Sequence, residues 1–403
     1  MNSGDTAFLL ISAALVMLMT PGLALFYGGM ARSKNVLGTI MHSFISLGVV
    51  SVIWALYGYS LSFGDDLGGV IGNFSFLGLN GVGLEPHLKL APTVPHLAFM
   101  IYQCMFAVIT PALITGAFAE RMKFSTFLVF TVLWMTLVYV PMCHWVWGGG
   151  WLGSMGALDF AGGAVVHMSS GASALAAALL LGKRRGYGSE HFIPHNLPMT
   201  ILGAGLLWFG WFGFNAGSAL TAGGQAAGAF TATHLAAAAA SISWMIVEWK
   251  HRGLPTTLGA ASGAVAGLVA ITPAAGFVGP MSGVLIGLGA GVICYLGILI
   301  KNKFKYDDAL DVVGVHGVGG AFGALATGLL AQKAYGGTDG LFFGHPAQLA
   351  IQAVSVIATI VFCFVMTFII MKVLDATLGL RVDEEDEVRG LDLSIHSETG
   401  YSL

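Results

Sequence analysis

Val166-His167-Met168-Ser169-Ser170-Gly171-Ala172 returns, with the same Val-His-x-x-x-Gly-Ala frame, as Val315-His316-Gly317-Val318-Gly319-Gly320-Ala321. Each copy lies in a long apolar run. The two runs are the fifth and tenth of eleven, near 6–30, 37–63, 95–119, 124–143, 160–182, 198–217, 226–247, 255–274, 280–300, 311–332 and 348–374. Each can cross the ~30 Å of hydrocarbon in a bilayer. They are continuous rather than alternating, so they read as helices and not as barrel strands. The expected fold is an all-α polytopic membrane protein. A unit of five crossings is odd, so its second copy enters the membrane from the other side. The spacing therefore predicts an inverted five-plus-five repeat with helix eleven added. Inverted repeats in transporters put their working site near the midplane, at the repeat interface.

Composition supports this outward from the motif. Hydrophobic residues make up 56% of the 403 and charged residues 9%, against about 25% charged in a soluble protein. Mean hydropathy is +0.82. So few charges cannot cover a soluble particle, which excludes a soluble enzyme. The net charge of −3 argues against nucleic-acid binding. Cys104, Cys143, Cys294 and Cys363 lie far apart in apolar stretches, with no CxxC pair to suggest zinc or a disulfide framework.

Loop charges set the expected orientation. The odd-numbered loops carry twelve Lys and Arg residues, from Arg32 to Lys305; the even-numbered ones carry only Lys89 and Lys333. Basic residues collect on the cytoplasmic side. The N-terminus is expected outside and the C-terminus in the cytoplasm. The first run is too long for a signal-peptide core and reads as a retained span. Glycine reaches 58 of 403, often at small-xxx-small spacing such as Gly259, Gly263 and Gly267. That pattern brings helices close in lipid and concerns packing, not chemistry.

His167 and His316 are the histidines deep in spans and related by the repeat. Counted from Asp159, His167 is eight residues or roughly 12 Å inward. Counted from Asp311, His316 is five residues inward. The two imidazoles are thus expected to meet near the centre, as a polar thread through an apolar pore. A buried ionisable group there is a functional hypothesis by default; the alternative is a pair of packed neutral histidines. A metal needs three or four ligands and no third is evident. Bis-histidine haem has no further support, so no cofactor is expected. Asp159 reads structurally as a helix N-cap and functionally as fixed negative charge beneath an outer cation site. Trp145, Trp147, Trp151, Trp211, Phe212 and Phe214 are expected to cluster outside. Spacing alone favours an interfacial belt over a cation–π receptor.

Three stretches carry a resemblance. They are Asp159-Phe160-Ala161-Gly162-Gly163-Ala164-Val165-Val166-His167, Gly210-Trp211-Phe212-Gly213-Phe214-Asn215-Ala216-Gly217-Ser218, and Asp311-Val312-Val313-Gly314-Val315-His316-Gly317-Val318-Gly319-Gly320. In this order, within eleven spans, the chain resembles the ammonium transporter (Amt/Mep/Rh) family along essentially its whole length. The resemblance implies the ammonium transporter fold, a homotrimer with one pore per subunit, and ammonium or ammonia as the transported species. It implies that Phe106, Trp147 and Ser218 form an outer ammonium-recruitment site with Asp159. Phe106 and Phe214 would be the stacked rings that occlude the pore, and His167 and His316 the twin histidines lining it. Tyr102 stands where many relatives carry Phe. Trp147 and Ser218 point to the Amt rather than the Rhesus branch.

Burying a bare cation in an apolar pore costs tens of kcal/mol, which two or three cation–π contacts of ~2 kcal/mol do not offset. NH4+ is therefore expected to bind outside and lose its proton, with NH3 crossing and a histidine pair relaying the proton. Potassium has no proton to lose. The resemblance implies electrogenic transport. The alternatives are an electroneutral NH3 or CO2 channel of Rhesus type, an ammonium sensor, and a membrane redox enzyme. Residues 1–378 read as the transmembrane domain of a plasma-membrane protein. Residues 379–403 read as a charged cytoplasmic tail, whose bland form is a solvated disordered segment. The tail resembles the family region that couples subunits and can meet a PII-type signal protein.

Overall fold

The computed structural model describes residues 1–401. Eleven helices run through it: α1 (Ser3–Met30), α2 (Ser33–Phe63), α3 (His96–Phe118), α4 (124–146), α5 (Gly163–Leu181), α6 (Leu197–Gly217), α7 (Gly224–Arg252), α8 (Thr257–Ile271), α9 (Pro280–Phe304), α10 (Val313–Leu330) and α11 (Ala347–Thr377). Ten contain windows long and apolar enough to cross a membrane. The sequence reading ran the eighth span over 255–274; α8 is 15 residues and gives way to turns at Thr272. Thr272 still donates from Oγ1 to Leu268 O at 2.7 Å.

The two halves meet through corresponding helices. α1 packs along α6, and the first turns of α5 and α10 pack on each other. This is what a pseudo-two-fold axis in the membrane plane requires. α11 lies outside the pair, against α5 and α10. Gln352 of α11 ties it in, donating to Leu158 O and Ala324 O and accepting from the Leu158 amide at 2.7 Å. Large apolar side chains such as Phe44, Val52 and Ile357 face outward, as they do where the solvent is lipid.

The basic loops gather on one face and are internally paired. Glu120, between α3 and α4, accepts from the Arg32 amide and Nε at 2.7 and 2.8 Å, with Arg184 at 3.6 Å. Arg184 grips Asp307 through its amide, Nε and Nη2. Arg121, fully buried, donates to Gly182 O and Asp307 O.

Residues 380–396 are not a loose tail. They fold onto the basic face as α12 (Glu384–Arg389) and α13 (Leu391–His396). Arg381 donates to Leu181 O and Lys183 O at the end of α5 and pairs with Glu387 at 2.6 Å. Glu387 also accepts from the Arg185 amide. Asp392 accepts from the amides of Leu37 and Gly38 at 2.9 and 2.8 Å, capping the start of α2, while Asn35 accepts from the Leu391 amide. The acidic run is ordered because its buried carboxylates find backbone donors on the first and fifth loops and a guanidinium in the tail's own Arg381.

Candidate functional site

The pathway is built around two π-helical turns. Gly163–Met168 opens α5 and holds His167; Val313–Val318 opens α10 and holds His316. A π turn inserts one residue into the helix and commonly marks a functional site. Each is entered through a left-handed residue five positions before its histidine: Gly162 (φ +116) and Asp311 (φ +63). A Cβ on Gly162 would stand 2.7 Å from Val166 Cγ2, so only glycine fits there. Aspartate tolerates the left-handed region at 311.

Eight positions before each histidine stands an aspartate, Asp159 and Asp308. Asp159 accepts four amides: Gly162 and Gly163 on Oδ1, Ala164 and Val165 on Oδ2, at 2.5–3.2 Å. It is an N-cap in full, and its main-chain oxygen accepts the Trp147 indole N–H at 2.9 Å. Asp308 accepts Val313 N on Oδ2 at 2.8 Å, the amide that corresponds to Ala164. Asp311, which the sequence reading put at the opening of helix ten, therefore holds the position of Gly162; the counterpart of Asp159 is Asp308. The eight-residue spacing was present in the sequence and would have identified it.

The histidines meet. His167 Nδ1 and His316 Nδ1 are 3.2 Å apart, with ring centroids at 5.3 Å. One nitrogen must carry the proton and the other the lone pair, so the rings are opposite tautomers. His167 Nε2 has no partner. The glycines of the repeated motif explain the contact. A Cβ on Gly171 would lie 2.2 Å from Gly317 N, and one on Gly320 would lie 3.1 Å from His167 Cβ. Each glycine thus clears room for the other half's histidine turn.

Above the histidines Phe106 and Phe214 close on each other, centroids 4.4 Å apart and planes at 39°. Trp147 meets Phe106 edge-on at 5.7 Å. Beyond them lies a cavity of about 300 Å³ lined by Phe106, Trp147, Ser218, Gln103, Phe160 and Lys89. Gln103, three residues before Phe106 and so on its helix face, aims an unpartnered Oε1; sequence reading missed it. Tyr102 packs on Phe106, and its hydroxyl lies within hydrogen-bond distance of Gly213 O, Phe214 O and Ser218 Oγ. It thereby fixes the end of α6. The Asp159 carboxylate is wholly engaged by its four amides.

Two smaller spaces continue the line. One of about 10 Å³ is lined by Trp211, Phe214, Phe26, His167, His316 and aliphatic groups. The next, about 40 Å³, is lined by His316, Tyr27, Asp311, Ser262 and apolar groups. Trp211 does not join the outer aromatics as expected. It is buried against His167, centroids 5.4 Å apart, and donates to Thr272 Oγ1 at 2.9 Å. Trp211, Phe214 and Ser218 follow i, i+3, i+7 spacing, one face at three depths. Trp145 and Trp151 do pack together at 5.5 Å, away from the cavity. Among the described residues no group of three or more His, Cys, Asp or Glu could hold a metal.

An inverted helical repeat enclosing an aromatic cavity, a touching pair of phenyl rings and a buried pair of imidazoles defines a multi-pass membrane protein of the transporter class. A family model, the Ammonium Transporter Family, matches residues 7–401, and the chain belongs to that family. It is 54% identical to an ammonium transporter of Bacillus subtilis, over all of this chain and 99% of the relative. It is 49% identical to ammonium transporter Amt1 of Archaeoglobus fulgidus over the full length of both. Among solved structures it resembles Saccharomyces cerevisiae Mep2 (TM-score 0.90, 36% identity, 96% of this chain and 88% of that one) and a sensor Amt protein (0.90, 32%, 97% and 98%).

Proposed function

We propose that the protein carries ammonium across the plasma membrane, with its N-terminus outside and the basic face and tail in the cytoplasm. NH4+ binds in the aromatic cavity against Phe106, Trp147 and Ser218, with the Asp159 charge beneath. It gives up its proton there. NH3 passes Phe106 and Phe214 and is hydrogen-bonded by His167 and His316, which also carry the proton, so that net charge crosses. The carrying observation is the sequence of spaces itself: a cavity wide enough for a hydrated cation leads, past touching rings, to one that holds a single small molecule against two imidazoles. A desolvated cation in that second space would lack the ligands to offset burial; ammonia would not. Family membership supports a homotrimer with a pore in each subunit. The docked tail suits regulation by a PII-type protein or a sensing role.

The test is the current in proteoliposomes after an ammonium jump, for wild type and the His167→Ala/His316→Ala double variant. An ammonium current in wild type, absent with potassium, supports the reading. The double variant should lose that current or admit potassium. Ammonia flux without current would sink the charge-coupled reading and favour the electroneutral gas channel.

A further inference from the structure

Two repeat-related carboxylates flank the histidine turns, yet their hydrogen bonding differs. Both oxygens of Asp159 are saturated by amides. A proton added to either would set an O–H against an N–H, so the four amides favour the anion, against the burial that raises this carboxyl. Asp308 is more deeply buried, 1% exposed against 8% for Asp159. Its Oδ2 takes the Val313 amide, but its Oδ1 has no partner. A lone buried carboxylate oxygen is costly to leave unmade, and a proton there removes the charge without breaking a bond. We propose, resting on the reading above, that Asp308 Oδ1 is the proton-accepting group of the cytoplasmic half of the pathway.

The surroundings fit a group that must hold both forms. Lys301 of α9 donates to the Asp308 main-chain oxygen at 2.9 Å and pairs with the Asp311 carboxylate, so its ammonium is spent on Asp311 and leaves the Asp308 carboxylate without a direct ion pair. Asp311 in turn lines the 40 Å³ space below His316, opposite Tyr27 of α1. The phenol of Tyr27 is committed to Leu113 O at 3.1 Å. Arg184 and Arg121 are turned to Asp307, and Tyr306 lies beside it. Burial, with Asp311 adding to it, pushes the Asp308 carboxyl up to about 6, against the pull of Lys301 and the Val313 and Val312 amides. The transfer balances simply. An O–H bond forms on Oδ1 as the bond to the proton breaks at a water in the inner space or at imidazolium. The proton then leaves to water or ammonia at the basic face, and the carboxylate returns. Nothing is oxidised or reduced.

Asp308→Asn keeps the shape and the acceptor for Val313. In proteoliposomes its ammonium current should fall tenfold or more at unchanged apparent KM. It should also lose the inflection near internal pH 6 that wild type shows. Asp308→Glu, which restores an ionisable group, should regain the inflection. Infrared difference spectra across pH should show a protonated-carboxyl band in wild type that is missing from Asp308→Asn, whatever the transport result. Wild-type current and pH profile in folded Asp308→Asn, or persistence of the band, overturns the assignment. A wild type that carries no ammonium current, yet shows the band, refutes the charge-coupled reading instead and leaves Asp308 a titrating group without a transport role.

Discussion

Gly171→Ala tests whether the histidine pair depends on glycine at the crossing of α5 and α10. The added Cβ would stand 2.2 Å from Gly317 N and 2.3 Å from its Cα. Ordinary contact lies near 3.5 Å, so the turns must part by roughly 1 Å. The Nδ1–Nδ1 separation of 3.2 Å would then pass ~4 Å, outside hydrogen-bonding range. Overpacking of this kind costs about 1–3 kcal/mol, and a 1 Å misplacement of functional groups can cost about a hundredfold in rate. The expected result is a protein that still folds, with lowered Tm, and ammonium flux in proteoliposomes reduced by one to two orders of magnitude. Gly320→Ala, whose Cβ would lie 3.1 Å from its neighbours, should lose less. Gly205→Ala on α6, with nothing within 4 Å, should lose nothing. Wild-type flux in Gly171→Ala, or equal losses in all three, would refute the close-approach reasoning.

Three other outcomes follow from buried pairings. Glu120→Gln leaves Arg32 without its carboxylate while Arg184 keeps Asp307; it should cost about 1–3 kcal/mol at pH 7, read as Tm in detergent. Burial raises the Glu120 carboxyl, but Arg184 and Arg32 outweigh it and hold it below its ordinary 4.5. Its stabilisation is therefore complete above 4.5 and lost as pH falls through the folded value, so wild type and variant should converge in acid. Asp392→Ala removes the cap on Leu37 and Gly38; it should cost about 0.5–2 kcal/mol and speed amide exchange in 384–396. Thr272→Val leaves the Trp211 indole N–H unpaired, costing about 1–3 kcal/mol in stability and altering the fluorescence of the ring packed on His167.

The spans and the histidine pair were legible because their signals are local: apolar runs cut by charge, and one seven-residue frame repeated. What escaped depends on geometry between distant residues. The depth estimate for His316 counted from Asp311, but the left-handed turn there consumes chain without rise, and Asp308 does the capping. Trp211 was placed outside because it neighbours Phe214 and Ser218 in the chain, whereas one helix face runs through several depths. The acidic run in 384–392 looked solvated because its partners, Asn35, Gly38 and Arg185, lie some two to three hundred and fifty residues away.

The single bond between two Nδ1 atoms also has a direction. A proton that enters one imidazole at its outer nitrogen pushes the shared hydrogen across, and the second ring releases its own outer hydrogen. Charge has passed, but both rings have exchanged tautomers and the bond now points backwards. A second proton cannot follow the same way until the pair is turned round. A relay through this pair, as proposed above, would therefore behave as a ratchet with an obligatory reset rather than a wire. Ammonia, which can donate and accept at once, is chemically able to restore it. If it does so, the pair could not run on protons alone, and uncoupled proton leak would be halted after one event per reset.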